Sequence, residues 1–161
     1  MSIKITFRAV AEHDKDFLKG VYASTRYEEL RQTGWSQQQI DDFLGMQFEA
    51  QHQFYQEKFS TENFEVILCD GVEAGRLYLE FREDEIRIVD IALLPEFRGK
   101  GLGTRIVKNV IIEAQGKSIS VRIHVEKNNP ALTLYQRLGF EFIDDRGVYW
   151  LMEKASDKQA A

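Results

Sequence analysis

Residues 90–104, Asp-Ile-Ala-Leu-Leu-Pro-Glu-Phe-Arg-Gly-Lys-Gly-Leu-Gly-Thr, run from an apolar strand through a basic, glycine-rich turn into a helix. Such a turn suits a diphosphate. Gly99, Gly101 and Gly103 remove side chains that would hold a ligand away from the backbone. The first N–H groups of the following helix lack intrahelical partners, and the helix dipole attracts an anion to the same end. Arg98 and Lys100 add mobile positive charge beside it. A phosphate-bearing cofactor is the first inference.

Spacing separates this turn from other phosphate loops. The Gly-x-x-x-x-Gly-Lys-Ser/Thr pattern fails, because Gly116-Lys117-Ser118 has Ile111 where the first glycine belongs. The Gly-x-Gly-x-x-Gly dinucleotide fingerprint fails as well, since Gly103 arrives one residue early and Pro95–Arg98 separates strand from turn. Arg98-x-x-Gly101-x-Gly103 resembles the acyl-CoA diphosphate loop of the GNAT (Gcn5-related N-acetyltransferase) superfamily. Downstream, Asn128-Asn129-Pro130-Ala131-Leu132-Thr133-Leu134-Tyr135-Gln136-Arg137-Leu138-Gly139-Phe140 is similar to that family's Asn-x-x-Ala-x-x-Leu-Tyr-x-x-x-Gly-Phe segment. The two blocks span residues 85–142, and the first 60 residues match only in general architecture.

The resemblance implies acetyl-CoA as cosubstrate, no metal, and direct attack by an amine on the thioester. Residues 98–103, with Leu102 and Thr104 among the helix-opening positions, would hold the diphosphate. The pantetheine arm would lie along Ile91-Ala92-Leu93 like an added strand, flanked by Pro130 and by Asn128 or Asn129, with the motif spacing favouring Asn128. Tyr135 occupies the family's general-acid position, although an amphipathic helix would also bury such a tyrosine in its core. A lysine-like amine is almost wholly protonated at neutral pH, so a base is expected. Glu85, 13 residues before Arg98, leads; Asp90, Glu80, His124 and Glu126 are alternatives, and a solvated or structural carboxylate competes with each. Alternation puts Glu85 and Arg87 on one strand face and Asp90 on the other. In this family the acceptor site draws on the first two helices and the last hairpin, giving Tyr22, Arg26 and Tyr149, with Glu29, Trp35 and Trp150 behind them. Arg26 could grip an acceptor carboxylate. Gln47, Gln51 and Gln53 around His52 make the second helix amide-rich, with no role evident from sequence.

The elements that must carry these groups follow from periodicity. Ile3, Ile5 and Phe7 alternate as a first strand; Asp14 to Arg31 reads as a helix closed by Thr33-Gly34. Ser36 caps a second helix whose apolar positions run from Ile40 to Tyr55. Strands are expected over 64–69, 72–81 and 85–94, the first two joined by a tight Asp70-Gly71 turn. A helix over 101–115, a strand over 119–125, a helix opened by Pro130 and a hairpin of 140–143 with 148–152 complete the chain. The order βααβββαβαββ is that of the GNAT fold, an α/β (α+β) mixed sheet of about seven strands flanked by four helices. It would form a single domain over residues 1–154, with 155–161 a frayed tail.

The whole chain narrows the classes. At 161 residues it can bury about two-thirds of its unfolded surface in one core. No apolar run approaches a membrane span, and the N-terminus lacks a signal peptide's apolar block. A lone cysteine, Cys69, forbids an internal disulfide and suggests a cytoplasmic protein. Net charge of −5 argues against nucleic acid as partner. His13, His52, His124 and Cys69 have no metal-ligand spacing. The resemblance implies an amine-bearing small molecule or peptide as partner and a possible homodimer through the last strands. Two rivals stand: a dinucleotide-binding oxidoreductase, with Glu126 as its ribose acid, and a non-catalytic acyl-CoA-binding module.

Overall fold

A computed structural model describes residues 2–156. The strands form a seven-stranded mixed sheet in the order β1-β2-β3-β4-β5-β7-β6. They are β1 (Ile5–Ala9), β2 (Asn63–Cys69), β3 (Val72–Phe81), β4 (Glu85–Leu93), β5 (Ser120–Glu126), β6 (Glu141–Arg146) and β7 (Tyr149–Lys154). The helices are α1 (Lys15–Arg31), α2 (Gln37–Lys58), α3 (Leu102–Gly116) and α4 (Leu132–Arg137). β4 and β5 run parallel, whereas β1–β2, β5–β7 and β6–β7 are antiparallel, which departs from the doubly wound sheet of a dinucleotide-binding domain. No helix of the described residues is long and apolar enough to cross a membrane.

By internal contacts the chain resolves into two compact units. The first holds residues up to Tyr78 together with Asp90–Arg98. Its core is Leu18 and Val21 of α1, Leu44 and Phe48 of α2, and Val66 and Ile67 of β2, all at most 2% exposed. Burying each such side chain fully is worth about 1.5–3 kcal/mol relative to leaving it exposed. Ser36 starts α2 through a reciprocal box: its Oγ accepts from Gln39 N at 3.1 Å, and Gln39 Oε1 accepts from Ser36 N at 2.8 Å. The Asp70-Gly71 hairpin turn has both residues at positive φ (49° and 81°), as the two-residue turn requires.

The second unit comprises Leu79–Val89 and the chain from Gly99 onward. There α3 turns Leu102, Ile106, Val107, Val110, Ile111 and Ala114 inward, and β5 answers with Val121, Ile123 and Val125. The parallel pairing of β4 with β5 runs from Glu85↔Ser120 to Ile88↔Ile123, and β4 continues to Leu93. β6 is exposed along its length.

Most elements match the sequence reading within one or two residues. Pro130 does not open α4; the helix begins at Leu132, because Asn129 Oδ1 first accepts from Ala131 N at 2.8 Å and forms a turn ahead of it. The hairpin strands run further than expected, to Arg146 and Lys154. Ser156, expected in a frayed tail, is 1% exposed, while 157–161 lie outside the described residues.

Gly75 marks the tightest backbone approach in the first unit. A Cβ there would stand 2.1 Å from the Ala92 carbonyl oxygen, in the strand end expected to carry the cofactor arm. Gly75→Ala is therefore expected to lower stability by roughly 1–3 kcal/mol, the usual range for overpacking, in urea unfolding. Gly103→Ala, with nothing within 4 Å of the added Cβ, should be neutral or mildly stabilising. Equal stability of Gly75→Ala and the parent would contradict the approach.

Candidate active site

The glycine-rich turn grows out of a 3-10 turn at Pro95–Phe97. Gly99 and Gly101 then adopt left-handed φ of 73° and 77°, a region glycine enters without the penalty of a Cβ. Gly101 O accepts the first α3 bond, from Arg105 N at 3.1 Å, and no side chain caps the helix. The N–H groups of Leu102, Gly103 and Thr104 consequently have no intrahelical acceptor. Space beside them is open, with no atom within 4 Å of a Cβ built on Gly99, Gly101 or Gly103. Leu102, 1% exposed, pins the helix start to the core, while Lys100 is exposed. Unpaired donors, open space and a free lysine together fit an anionic cofactor group.

Arg98 behaves differently from the mobile charge expected. Its Nε donates to Leu93 O at 2.8 Å and its Nη2 to Ser24 Oγ at 3.1 Å, tying the end of β4 to α1. The half-buried Ile91, Ala92 and Leu93 form that end, and Leu94 N donates to Ala74 O at 2.8 Å beyond it. Downstream, Asn129 commits its side-chain oxygen to the turn before α4, accepting from Ala131 N at 2.8 Å. Asn128 is exposed and carries no such bond. Tyr135, 5% exposed, packs edge-on against Phe140 with ring centroids 5.6 Å apart.

Glu85 corrects the leading base assignment. It is 4% exposed; Oε2 accepts from Arg87 Nε at 2.9 Å and Oε1 from Arg122 Nη1 at 3.0 Å, with Arg82 at 3.6 Å. Arg122 in turn donates to Glu153 Oε2 at 2.6 Å. Burial pushes the Glu85 carboxyl up, but the hydrogen bonds and charges of Arg87 and Arg122 outweigh it and hold the group below the ordinary glutamate range. A carboxylate so engaged is a poor proton acceptor. Glu80 is likewise paired, 2.6 Å from Arg82 Nε. Glu85 and Asp90 share no partner among the described residues.

His124 is the better placed alternative in this unit. It is exposed on β5, its Nδ1 lies 3.5 Å from Arg87 Nη1, and its ring sits 6.4 Å from that of Tyr149. Partial desolvation first, then the charges of Arg87 and Arg146, hold its pKa below 6.5, so the ring is neutral at physiological pH. Tyr149 itself is 41% exposed and pairs with Glu126 across β5–β7.

The other acceptor candidates divide. The Tyr22 hydroxyl is buried and donates to Gln47 Oε1 at 3.3 Å; Arg26 lies 3.6 Å from Glu29 on its own helix. Trp35 packs on Phe43 and Trp150 on Phe142. Sequence reasoning missed Arg76, which is 3% exposed and donates from Nη2 to Asp90 Oδ2 at 2.6 Å and to Gln51 Oε1 at 2.8 Å. The Tyr55 hydroxyl reaches the same Asp90 oxygen at 3.0 Å. The amide-rich stretch of α2 was the available signal: Gln51 and Tyr55 are four residues apart on one helix face.

Because the folded Glu85 pKa is depressed, its contribution to stability is complete above the ordinary value of 4.5 and is lost as pH falls through the folded value. Glu85→Gln should thus be less stable than the parent at neutral pH, with a deficit that shrinks below pH 4.5. Urea melts of both proteins across that range check this, and a pH-independent deficit would contradict the ion-pair account.

Residues 60–142, just over half of the chain, match the acetyltransferase (GNAT) domain family. The [ribosomal protein bS18]-alanine N-acetyltransferase of Haemophilus influenzae is 31% identical over 68 residues, which cover 42% of this chain and 47% of that protein. The chain thus spans about half the length of that curated relative. Among solved structures, PaiA N-acetyltransferase from Thermoplasma acidophilum, in complex with coenzyme A, superposes with a TM-score of 0.69 at 20% identity, covering 94% of this chain and 99% of that one. The ribosomal-protein-S18-alanine N-acetyltransferase of Escherichia coli gives a TM-score of 0.57 at 16% identity over 93% and 91% of the two chains. At these identities the structures speak to the fold, and the family match goes further: the chain belongs to the GNAT acetyltransferase family.

Proposed function

We propose that this protein is an N-acetyltransferase that moves an acetyl group from acetyl-CoA to a primary amine. The observation that carries the reading is the turn into α3, where left-handed Gly99 and Gly101 leave the N–H groups of Leu102, Gly103 and Thr104 open to an anion. Acetyl-CoA supplies the activated thioester. Backbone groups of residues 99–103 hold its diphosphate with Lys100 beside them, and the end of β4 at Ile91–Leu93 offers main-chain partners to its arm. Tyr135 donates a proton to the departing thiolate. His124, neutral at working pH, takes the proton of the amine, directly or through water. Asn128 and Pro130 flank the arm, and Tyr149 contributes to the acceptor side. A peptide α-amine is supported as acceptor by the relative named for acetylating an alanine of a ribosomal protein.

The cofactor is tested first. Thermal-shift titrations with acetyl-CoA, CoA and NADH should show stabilisation by the two CoA species alone. Gly101→Glu, which places a carboxylate among the donors, should abolish that stabilisation; an unchanged response would remove the loop from the cofactor site.

Two further substitutions address the chemistry. Tyr135→Phe is expected to lower kcat by about 10²–10⁴-fold with little change in acetyl-CoA affinity, the usual range for a positioned acid. In the parent, the acidic limb of kcat/KM should have its midpoint below pH 6.5, since His124 protonates below its ordinary value. The acidic limb should vanish in His124→Gln along with most of the rate; a retained limb would assign the base elsewhere.

A further inference from the structure

The polar cluster around Arg76 is not what stability alone would select. A buried ion pair is often no better than an apolar pair of the same volume, and here Arg76 Nε is buried without any acceptor. What the cluster achieves is the fixing of one carboxylate. Asp90 Oδ2 takes two donors, Arg76 Nη2 at 2.6 Å and the Tyr55 hydroxyl at 3.0 Å. Gln51 Oε1 braces the guanidinium at 2.8 Å, and the Tyr78 ring lies 5.1 Å from its carbon. Asp90 Oδ1 receives no hydrogen bond among the described residues, and it is not among their buried unsatisfied atoms, so it is accessible. The result is a half-used carboxylate in a rigid bracket, one residue before the Ile91–Leu93 strand end.

We infer that Asp90 recognises the acceptor: Oδ1 accepts an N–H from a primary amine that arrives as a cation, while Arg76, Tyr55 and Gln51 hold the carboxylate for it. The inference rests on the acetyltransferase reading and adds the residue that selects the charge of the acceptor amine. An ionic hydrogen bond of this type changes affinity by about tenfold to a hundredfold.

The test is steady-state acetylation of three probe amines, read as CoA thiol release: an alanyl tripeptide, a lysine-containing peptide and spermidine. Acetyl-CoA binding is measured beside it by calorimetry. Asp90→Asn should raise the amine KM about tenfold to a hundredfold and leave the acetyl-CoA Kd unchanged. An unchanged amine KM overturns the inference, as does a parallel loss of acetyl-CoA affinity, which would mark simple damage to the strand end. Asparagine leaves Arg76 without a counterion, so Arg76→Met/Asp90→Leu, which removes both charges and keeps the bulk, is the second variant. It should fold, bind acetyl-CoA and lose amine turnover; a parental amine KM in this variant sinks the inference. Acetyl-CoA binding without turnover of any probe by the parent would overturn the cationic-amine assignment alone. Failure of the parent to bind acetyl-CoA would overturn the reading beneath it.

Discussion

A guanidinium at 3% exposure has to be answered by its neighbours, and in the first unit the answer organises three elements. Arg76 on β3 draws Gln51 and Tyr55 of α2 and Asp90 of β4 into one hydrogen-bonded group. Desolvation is the largest single influence and works against the charge, but Asp90 together with Tyr78 and Tyr55 outweighs it, so the arginine stays protonated. Position along β4 is thereby set just before Ile91. Two neighbouring constraints act on the same short stretch. Gly75 admits the Ala92 carbonyl where any side chain would collide, and Arg98 holds the Leu93 carbonyl from the other side of the 3-10 turn. Gly75 and Arg76, neighbours on β3, and Arg98 thus all act on the four-residue strand end of residues 90–93.

The turn into α3 is legible in sequence because its shape is set by the main chain of its glycines. In sequence the glycines remove side chains from the backbone; Gly99 and Gly101 also adopt left-handed φ, whereas Gly103 is helical. Leu102 makes the point from the other side: an apolar residue between two glycines is the anchor that sets where the helix starts. The same holds for Ser36 and for Asp70-Gly71, where one residue type satisfies a local demand. Local rules read well when the partner lies three or four residues away.

Side-chain partners across the fold read poorly. Glu85 has the spacing of a base, yet β5 and β7 bring Arg122 and Glu153 to it and turn it into an ion-pair node. Arg98 has the position of a phosphate ligand, yet Ser24 lies 74 residues earlier in the chain. Asn129 competes with Asn128 inside one motif, and only the turn geometry separates them: the residue whose oxygen meets Ala131 N is spent on structure. Arg76 was invisible for a related reason, because an arginine alternating along a strand resembles any solvent-facing position.

Tyr135 and His124, the residues proposed as proton donor and acceptor, sit in two different settings within one unit. Tyr135 sits on a six-residue helix too short to orient it by itself, and the buried edge-on contact with Phe140 supplies the rigidity instead. His124 lies on β5, where partial desolvation first and then the charges of Arg87 and Arg146 hold its pKa below 6.5. Both effects favour the neutral imidazole, the form a proton acceptor needs. Arg87, which engages the Glu85 carboxylate, also lies beside His124, so one charge network lowers the pKa of both groups.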